Sequence, residues 1–202
     1  MPRAFTADES SRIRARLCEA GRSTFAQRGV RGTTVDDLAR AAGISKGAFY
    51  RFFDSKEGLL LVLLDEDEIA MHAEIEAAIR AEPDRGIDVL VDRSLDAVRA
   101  NPLLPVLMSP EVLRVLVSRP RAEQAALLER DVRLVDRVLA VLAEAGVTLA
   151  VPRPALLGLL RSLVFVGLHR AEVGEDQVDE MGRWLKACLR GALQPAATGE
   201  RS

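Results

Sequence analysis

Apolar residues recur along this chain at helical spacing from near its start almost to its end. Ile13, Leu17, Ala20 and Phe25 fall on one face of a first helix. That helix starts near Thr6 or Asp8, where Thr6 and Glu9 form a capping-box pair, and Gly29 closes it. Val35, Leu38, Ala39 and Ala42 give the apolar side of a short second helix that begins after Thr33 or Thr34. Asp36 and Asp37 lie in its first turn, where carboxylates suit the positive end of the helix dipole. Gly43 supplies the left-handed residue of a tight turn. A third helix has Ser45 as N-cap and runs to about Phe53, with Ala48, Phe49, Phe52 and Phe53 inward. Asp54 or Ser55 caps a fourth, which runs from Lys56 to about Arg80 and stops before Pro83.

Downstream the same periodicity predicts helices over 84–100, 103–108, 110–117, 121–145, 153–172 and 176–193. Each gap has a chemical cause: Asn101-Pro102, Pro105, Ser109-Pro110, Pro120, Gly146, Pro152 with Pro154, and Gly174. No run of alternating β-branched residues argues for a sheet. The reading is an all-α chain: an N-terminal helix-turn-helix domain over 1–55, a larger helical domain over 56–194, and a disordered tail over 195–202. The fourth helix serves as a rigid connection between the two domains.

Composition agrees. Hydrophobic residues are 49% of the chain, mostly Leu, Ala and Val, with only 4% aromatic, which is the material of helices. The formal net charge of −2 hides an asymmetry. Residues 1–58 carry 11 Lys/Arg against 7 Asp/Glu, whereas residues 59–202 carry 17 against 23. A basic head on an acidic body is expected when one end meets phosphate. The chain opens on no apolar signal core. Its most apolar stretches, Leu59–Leu64 and Ala155–Leu168, are respectively too short and broken by Arg161 and Ser162, so a cytoplasmic protein with no membrane partner is expected. Cys18 and Cys188 have no metal-type spacing. The acidic run Asp65–Glu68 with His72 and Glu76 reads as a solvated helix face and not a metal site. No phosphate-binding glycine loop, nucleophile elbow or cysteine–histidine pair argues for an enzyme, and no cofactor is expected.

The chemistry concentrates in residues 33–58. A helix, a glycine turn and a second helix put one helix into a DNA major groove and clamp the flanking phosphates. Lys46 can reach phosphate or guanine edges, and Gly47 lets the backbone approach the groove wall. Tyr50 lies one turn beyond Lys46 on the same face, with Arg51 and Arg40 flanking it. Lys56, at the start of the fourth helix, is placed to clamp a phosphate, as is Thr33 or Thr34 at the second.

Thr33-Thr34-Val35-Asp36-Asp37-Leu38-Ala39, Ala42-Gly43-Ile44-Ser45, Gly47, Phe49-Tyr50, Phe53, Ser55-Lys56-Glu57 and Leu59 together resemble the N-terminal domain of TetR-family transcriptional regulators. Departures are small: Leu38 stands for the commoner Ile, and Phe52 where His or Tyr is frequent. The resemblance implies that the third helix reads DNA, with Ser45, Lys46 and Gly47 facing bases and Tyr50 and Lys56 on phosphate. It further implies a small-molecule effector held by the helical body, which changes the spacing of two DNA-reading heads. Arg3 could reach a minor groove from an N-terminal arm.

One reading helix covers only a few base pairs, so useful specificity needs two, about 34 Å apart on a palindrome. A homodimer is therefore expected. Its candidate interface is the wide apolar stripe Leu156, Leu159, Leu160, Leu163, Val166 and Gly167 and the seam Val178, Met181, Leu185, Cys188, Leu189 and Ala192 on the last two helices. For the effector, the proline-broken stretch 101–110 offers Leu103, Leu104, Leu107 and Met108 as an adaptable apolar lining, with Phe165, His169 and His72 as aromatic or polar candidates. The function expected is a repressor released from a palindromic operator in double-stranded DNA by a small lipophilic ligand. The alternative is a constitutive DNA-binding regulator or architectural protein without one.

Overall fold

In the computed structural model, which describes residues 5–107 and 109–195, the regular structure of the described residues is helical apart from one short strand pair. The elements are α1 (Ala7–Arg28), α2 (Val35–Ala41), α3 (Lys46–Phe49), α4 (Lys56–Ala81), a 3-10 turn at Pro83–Arg85, α5 (Gly86–Ala100), α6 (Leu104–Leu107), α7 (Pro110–Ser118), α8 (Arg121–Glu144), β1 (Val147–Leu149), α9 (Arg153–Leu168), α10 (Arg170–Val173), α11 (Glu175–Gly191) and β2 (Leu193–Pro195). The described residues form two compact units: those up to Glu68 with Pro102–Arg119, and Ile69–Asn101 with those from Pro120 on.

In the first unit, α1 buries Ile13, Leu17, Gly21 and Phe25, one residue per turn. Gly21 is a position the apolar pattern passes over. A Cβ there would stand 3.0 Å from Leu63 and 3.1 Å from Leu59, so its bare backbone lets the start of α4 pack against α1. Around that contact Phe25, Phe49, Leu17, Leu38, Leu59, Leu60 and Leu63 are essentially inaccessible, and Leu103 and Val112 from the 102–119 segment complete the same core. The acidic run is partly employed here. Arg22 on α1 forms ion pairs with Asp67 and, at 3.2 Å, with Glu66.

The second unit packs α5, α8, α9 and α11 around Ile79, Leu90, Val91, Val135, Val138, Leu142, Leu156, Leu163, Val178 and Leu189. Arg80 pairs with Glu144 at 3.2 Å and Lys186 with Asp92 at 2.6 Å along its flanks. β1 and β2 pair antiparallel with Thr148 opposite Gln194. Three residues each are too few to show the period-2 alternation that marks a strand in sequence.

Two helices end sooner than their periodicity predicts. The third stops at Phe49, after which Arg51 and Phe52 donate to the carbonyls of Ala48 and Phe49, a tightened i to i+3 turn that brings Phe53 back to the core beside Phe49. The penultimate helix breaks at His169 (φ −102°, ψ 25°), dividing 153–172 into α9 and α10. Pro195 closes β2. The rest of the expected tail, and Arg3, lie outside the described residues.

Candidate nucleic-acid interface

The α2–turn–α3 segment is fixed by its own caps. Thr34 and Asp37 make a reciprocal capping box at the start of α2: the Asp37 N–H donates to Thr34 Oγ1 (3.1 Å), and the Thr34 N–H and hydroxyl donate to Asp37 Oδ2 (3.2 and 2.6 Å). The Thr34 hydroxyl, then its backbone N–H, hold the Asp37 carboxyl below its usual pKa. At the other end, Ile44 N–H bonds the Ala39 carbonyl (2.9 Å) and Gly43 N–H that of Arg40 (3.1 Å), with Gly43 at φ +68°. That is a Schellman closure, and a side chain at Gly43 would be strained in it. Ser45 then caps α3 by accepting from Ala48 N–H at 3.2 Å.

Leu38, Ala39, Ala42 and Phe49 anchor this segment inward. The other side of the segment therefore carries Ser45, Lys46, Gly47, Tyr50 and Arg51, all exposed. Tyr50 is half exposed and braced edge-on by Phe49 at 5.5 Å. The Arg51 guanidinium stacks over Phe5 at 4.7 Å, and Phe5 leans on Phe52 at 6.0 Å. Lys46 Nζ pairs with Asp36 Oδ2 at 2.8 Å, and that hydrogen bond, reinforced by the carboxylate charge, raises its pKa. The pairing of Asp36 with Lys46 carries no signal in the sequence, because only the folded turn brings it to a lysine ten residues on.

Two of the eight expected DNA-contacting residues turn inward. Thr33 is fully buried and its hydroxyl donates to the Gly29 carbonyl at 2.7 Å. Lys56 Nζ donates to the carbonyls of Val30 (2.6 Å) and Thr33 (2.7 Å). The reason is common to both: carbonyls beyond the end of α1 have no helical donor, and these side chains supply one. Thr34 remains exposed at the α2 N-terminus.

The expected effector-lining residues do not assemble as one set. Leu103 is buried in the first unit's core, Leu104 and Leu107 pack against it, and Met108 lies outside the described residues. In the second unit His72 is buried, whereas Phe165 is 54% exposed, its ring 4.6 Å from His169, which is itself half exposed. A groove of about 640 Å³ lies instead in the first unit, between α1 and the α2–α3 turn, bordered by Phe5, Glu9, Arg12, Ile13, Arg16 and Ile44.

The expected interface stripe is likewise half inward. Leu156, Leu160, Leu163 and Leu189 are buried in the second unit's own core, and Gly167 sits where a Cβ would meet Val98 at 3.2 Å. Met181 and Leu185 are partly buried against that core, and Cys188 is exposed. On α9 and α11 the large apolar side chains left outside are Leu159, which belongs to the expected stripe, and Phe165 and Trp184, 39, 54 and 68% exposed. An apolar surface as wide as that of α9 has an inner half that its own chain consumes. Among the described residues no cluster of His, Cys, Asp and Glu could hold a metal, and no helix is long and apolar enough to cross a membrane.

Comparison with known proteins agrees with this geometry. Residues 17–63, which span the capped turn, match the model of bacterial regulatory proteins of the tetR family. The chain is 34% identical over 116 residues to the HTH-type transcriptional repressor KstR2 of Rhodococcus jostii, a match covering 56% of each chain. It is 42% identical over 60 residues to the HTH-type transcriptional regulator TtgR of Pseudomonas putida, covering 30% of this chain and 29% of that one. The matches thus span about half or less of these relatives' lengths. A crystal structure of a TetR-family transcriptional regulator from Pectobacterium atrosepticum superposes with a TM-score of 0.64 at 26% identity, over 95% of this chain and all of that one. The capped helix-turn-helix thus lies within a segment that matches the tetR family of bacterial regulatory proteins, and the fold of the chain as a whole is similar to that of a TetR-family transcriptional regulator.

Proposed function

We propose that the chain is a homodimeric, sequence-specific DNA-binding transcriptional repressor, and not an enzyme, that leaves a palindromic operator when a small lipophilic ligand binds its helical body. The observation that carries the DNA half is the outward row Ser45, Lys46, Gly47 and Tyr50 on a turn whose every backbone end is capped. Such a row is rigid, polar and cationic, and it costs little ordering entropy on binding. Ser45, Lys46 and Gly47 face bases, and Tyr50, Arg51 and Thr34 hold phosphates. The dimer is proposed to form through the outer faces of α9 and α11, where Leu159, Phe165 and Trp184 would otherwise leave aromatic and aliphatic surface in water.

The effector half is supported by the second unit's core, which is aliphatic except for buried His72 and for Ser94, whose hydroxyl is satisfied by the Leu90 carbonyl at 2.7 Å. A buried imidazole is the kind of polar group that orients an apolar ligand. The packing of Leu104 and Leu107 into the first unit's core favours the second reading, a constitutive regulator with no ligand, to the extent that those residues are not free to line a cavity.

Selection of bound DNA from a random pool tests the proposal. Recovery of one palindrome with two half-sites supports it. Recovery of unrelated sequences at every salt concentration removes the regulator reading. Adding a panel of lipophilic compounds to the operator complex then separates the two alternatives: release by any of them supports the effector, and release by none favours constitutive binding.

A further inference from the structure

In the first unit, three kinds of contact join α1, the α1–α2 loop and the start of α4. Gly21 admits Leu59 and Leu63 against α1, and Arg22 on α1 pairs with Glu66 and Asp67 on α4. Third, Lys56, the first residue of α4, reaches back to the carbonyls of Val30 and Thr33 at 2.6 and 2.7 Å. The loop it holds leads directly into Thr34, the N-cap of α2.

A lysine expected to contact DNA is thereby occupied with protein backbone. Two of its three N–H donors are committed, and the carbonyls they satisfy have few alternatives: Thr33 O accepts from no other described group, and Val30 O otherwise receives only a 3.3 Å bond from Thr33 N–H. An ammonium bridging two carbonyls is a charge-assisted contact, stronger than a neutral hydrogen bond, and here it is half-buried and partly shielded from competing water. The backbone at Val30 and Thr33 is thus fixed to the first turn of α4, itself capped by Ser55 Oγ accepting from Gly58 N–H at 2.9 Å.

We propose that Lys56 is a positioning residue for DNA reading: by holding the Val30 and Thr33 carbonyls it sets the place of the α2 N-terminus, and through it the reading turn, relative to the start of α4. This rests on the DNA-binding reading above. A shift of the first turn of α4 then carries the α2 N-cap with it, and loss of the ammonium leaves Thr34 presented to phosphate in a range of positions in place of one.

The test uses the full chain with Lys56→Met, which keeps the length of the side chain and removes its donors. Amide hydrogen exchange of the DNA-free protein is read first. Exchange at least ten-fold faster at Thr33, Thr34, Asp37 and Leu38, with Leu17 and Phe25 unchanged, is expected. So is at least ten-fold weaker binding to the operator recovered by selection. Unchanged exchange overturns the proposal. It does so most directly if binding still weakens and the slope of log K against log salt falls by about 0.9 per subunit, the mark of a lost phosphate contact. Faster exchange with undiminished operator binding overturns it too, because the loop would then not matter to reading. If Lys56→Met unfolds the unit, seen as lost helical circular dichroism, Lys56→Gln is scored by the same two readouts. Failure of the wild-type protein to select any DNA would sink the regulator reading alone, since the exchange arm needs no DNA.

Discussion

Lys46, the first residue of α3, and Asp36, in the first turn of α2, face each other across the helix-turn-helix with Nζ and Oδ2 2.8 Å apart. Both are half exposed, so the pair adds little to stability. Its effect is on what Lys46 can do next. The cation of the proposed base-facing row is already paired with a carboxylate, and DNA bound as proposed would compete with that carboxylate for it. Asp36→Asn is expected to tighten binding to random-sequence DNA by several-fold and to steepen its salt dependence, while operator binding gains less, so that the specificity ratio falls. Fluorescence anisotropy on both DNAs across a salt series measures this, and an unchanged ratio would refute it.

Gly47 has helical backbone, and nothing lies within 4 Å of where its Cβ would be. The fold therefore has no use for a glycine there. Gly47→Ala should raise thermal stability, by up to about 1 kcal/mol on helix propensity alone. It should also weaken operator binding, because the added methyl meets the groove wall. A variant both more stable and weaker in binding separates the two roles, and equal binding by Gly47→Ala argues against close backbone approach.

The inner face of α9 and the outer face of α11 make opposite predictions. Leu163 is 1% exposed in the second core, so Leu163→Ala should cost about 2–5 kcal/mol in chemical denaturation. Trp184→Glu, on the outer face of α11, should leave the fold intact and shift the protein from dimer to monomer in sedimentation, with loss of operator binding. A monomer from Leu163→Ala that is still fully folded, or a dimer persisting in Trp184→Glu with Phe165→Glu, would move the interface elsewhere.

The α2 cap has a pH signature. The folded-state pKa of Asp37 is depressed, so the cap's contribution is complete above the unfolded value of 3.8 and is lost as pH falls through the lower folded value. Acidification below about pH 4 should loosen α2, and Asp37→Asn should flatten that part of the stability profile; amide exchange at Asp37 and Leu38 reports it. A profile equally steep in Asp37→Asn places the acid sensitivity on other carboxylates.

The first helices were legible in the sequence because their signals are local. The Thr6–Glu9 pair, the Gly43 turn and the Ser45 and Ser55 caps each act within a few residues and each stands where the pattern placed it. Inward and outward were harder to read. Leu156 and Leu159 look alike in a stripe, and only the neighbours packed by the fold decide that one is buried and the other 39% exposed. Lys56 and Thr33 show the same limit in polar residues. A lysine at a helix start is equally suited to phosphate and to stray carbonyls, and the choice depends on a loop more than twenty residues earlier.

Leu103 and Val112 are almost wholly buried, and they lie in the same core as Phe25, Phe49 and Leu59. The reading head is therefore discontinuous in the gene, and its last structural layer leaves the ribosome some fifty residues after the helix-turn-helix motif has been made. A fragment ending after Glu68 would have the whole motif and still present an unsealed apolar floor to water. Transplanting the head onto another body requires residues 102–119 to travel with it.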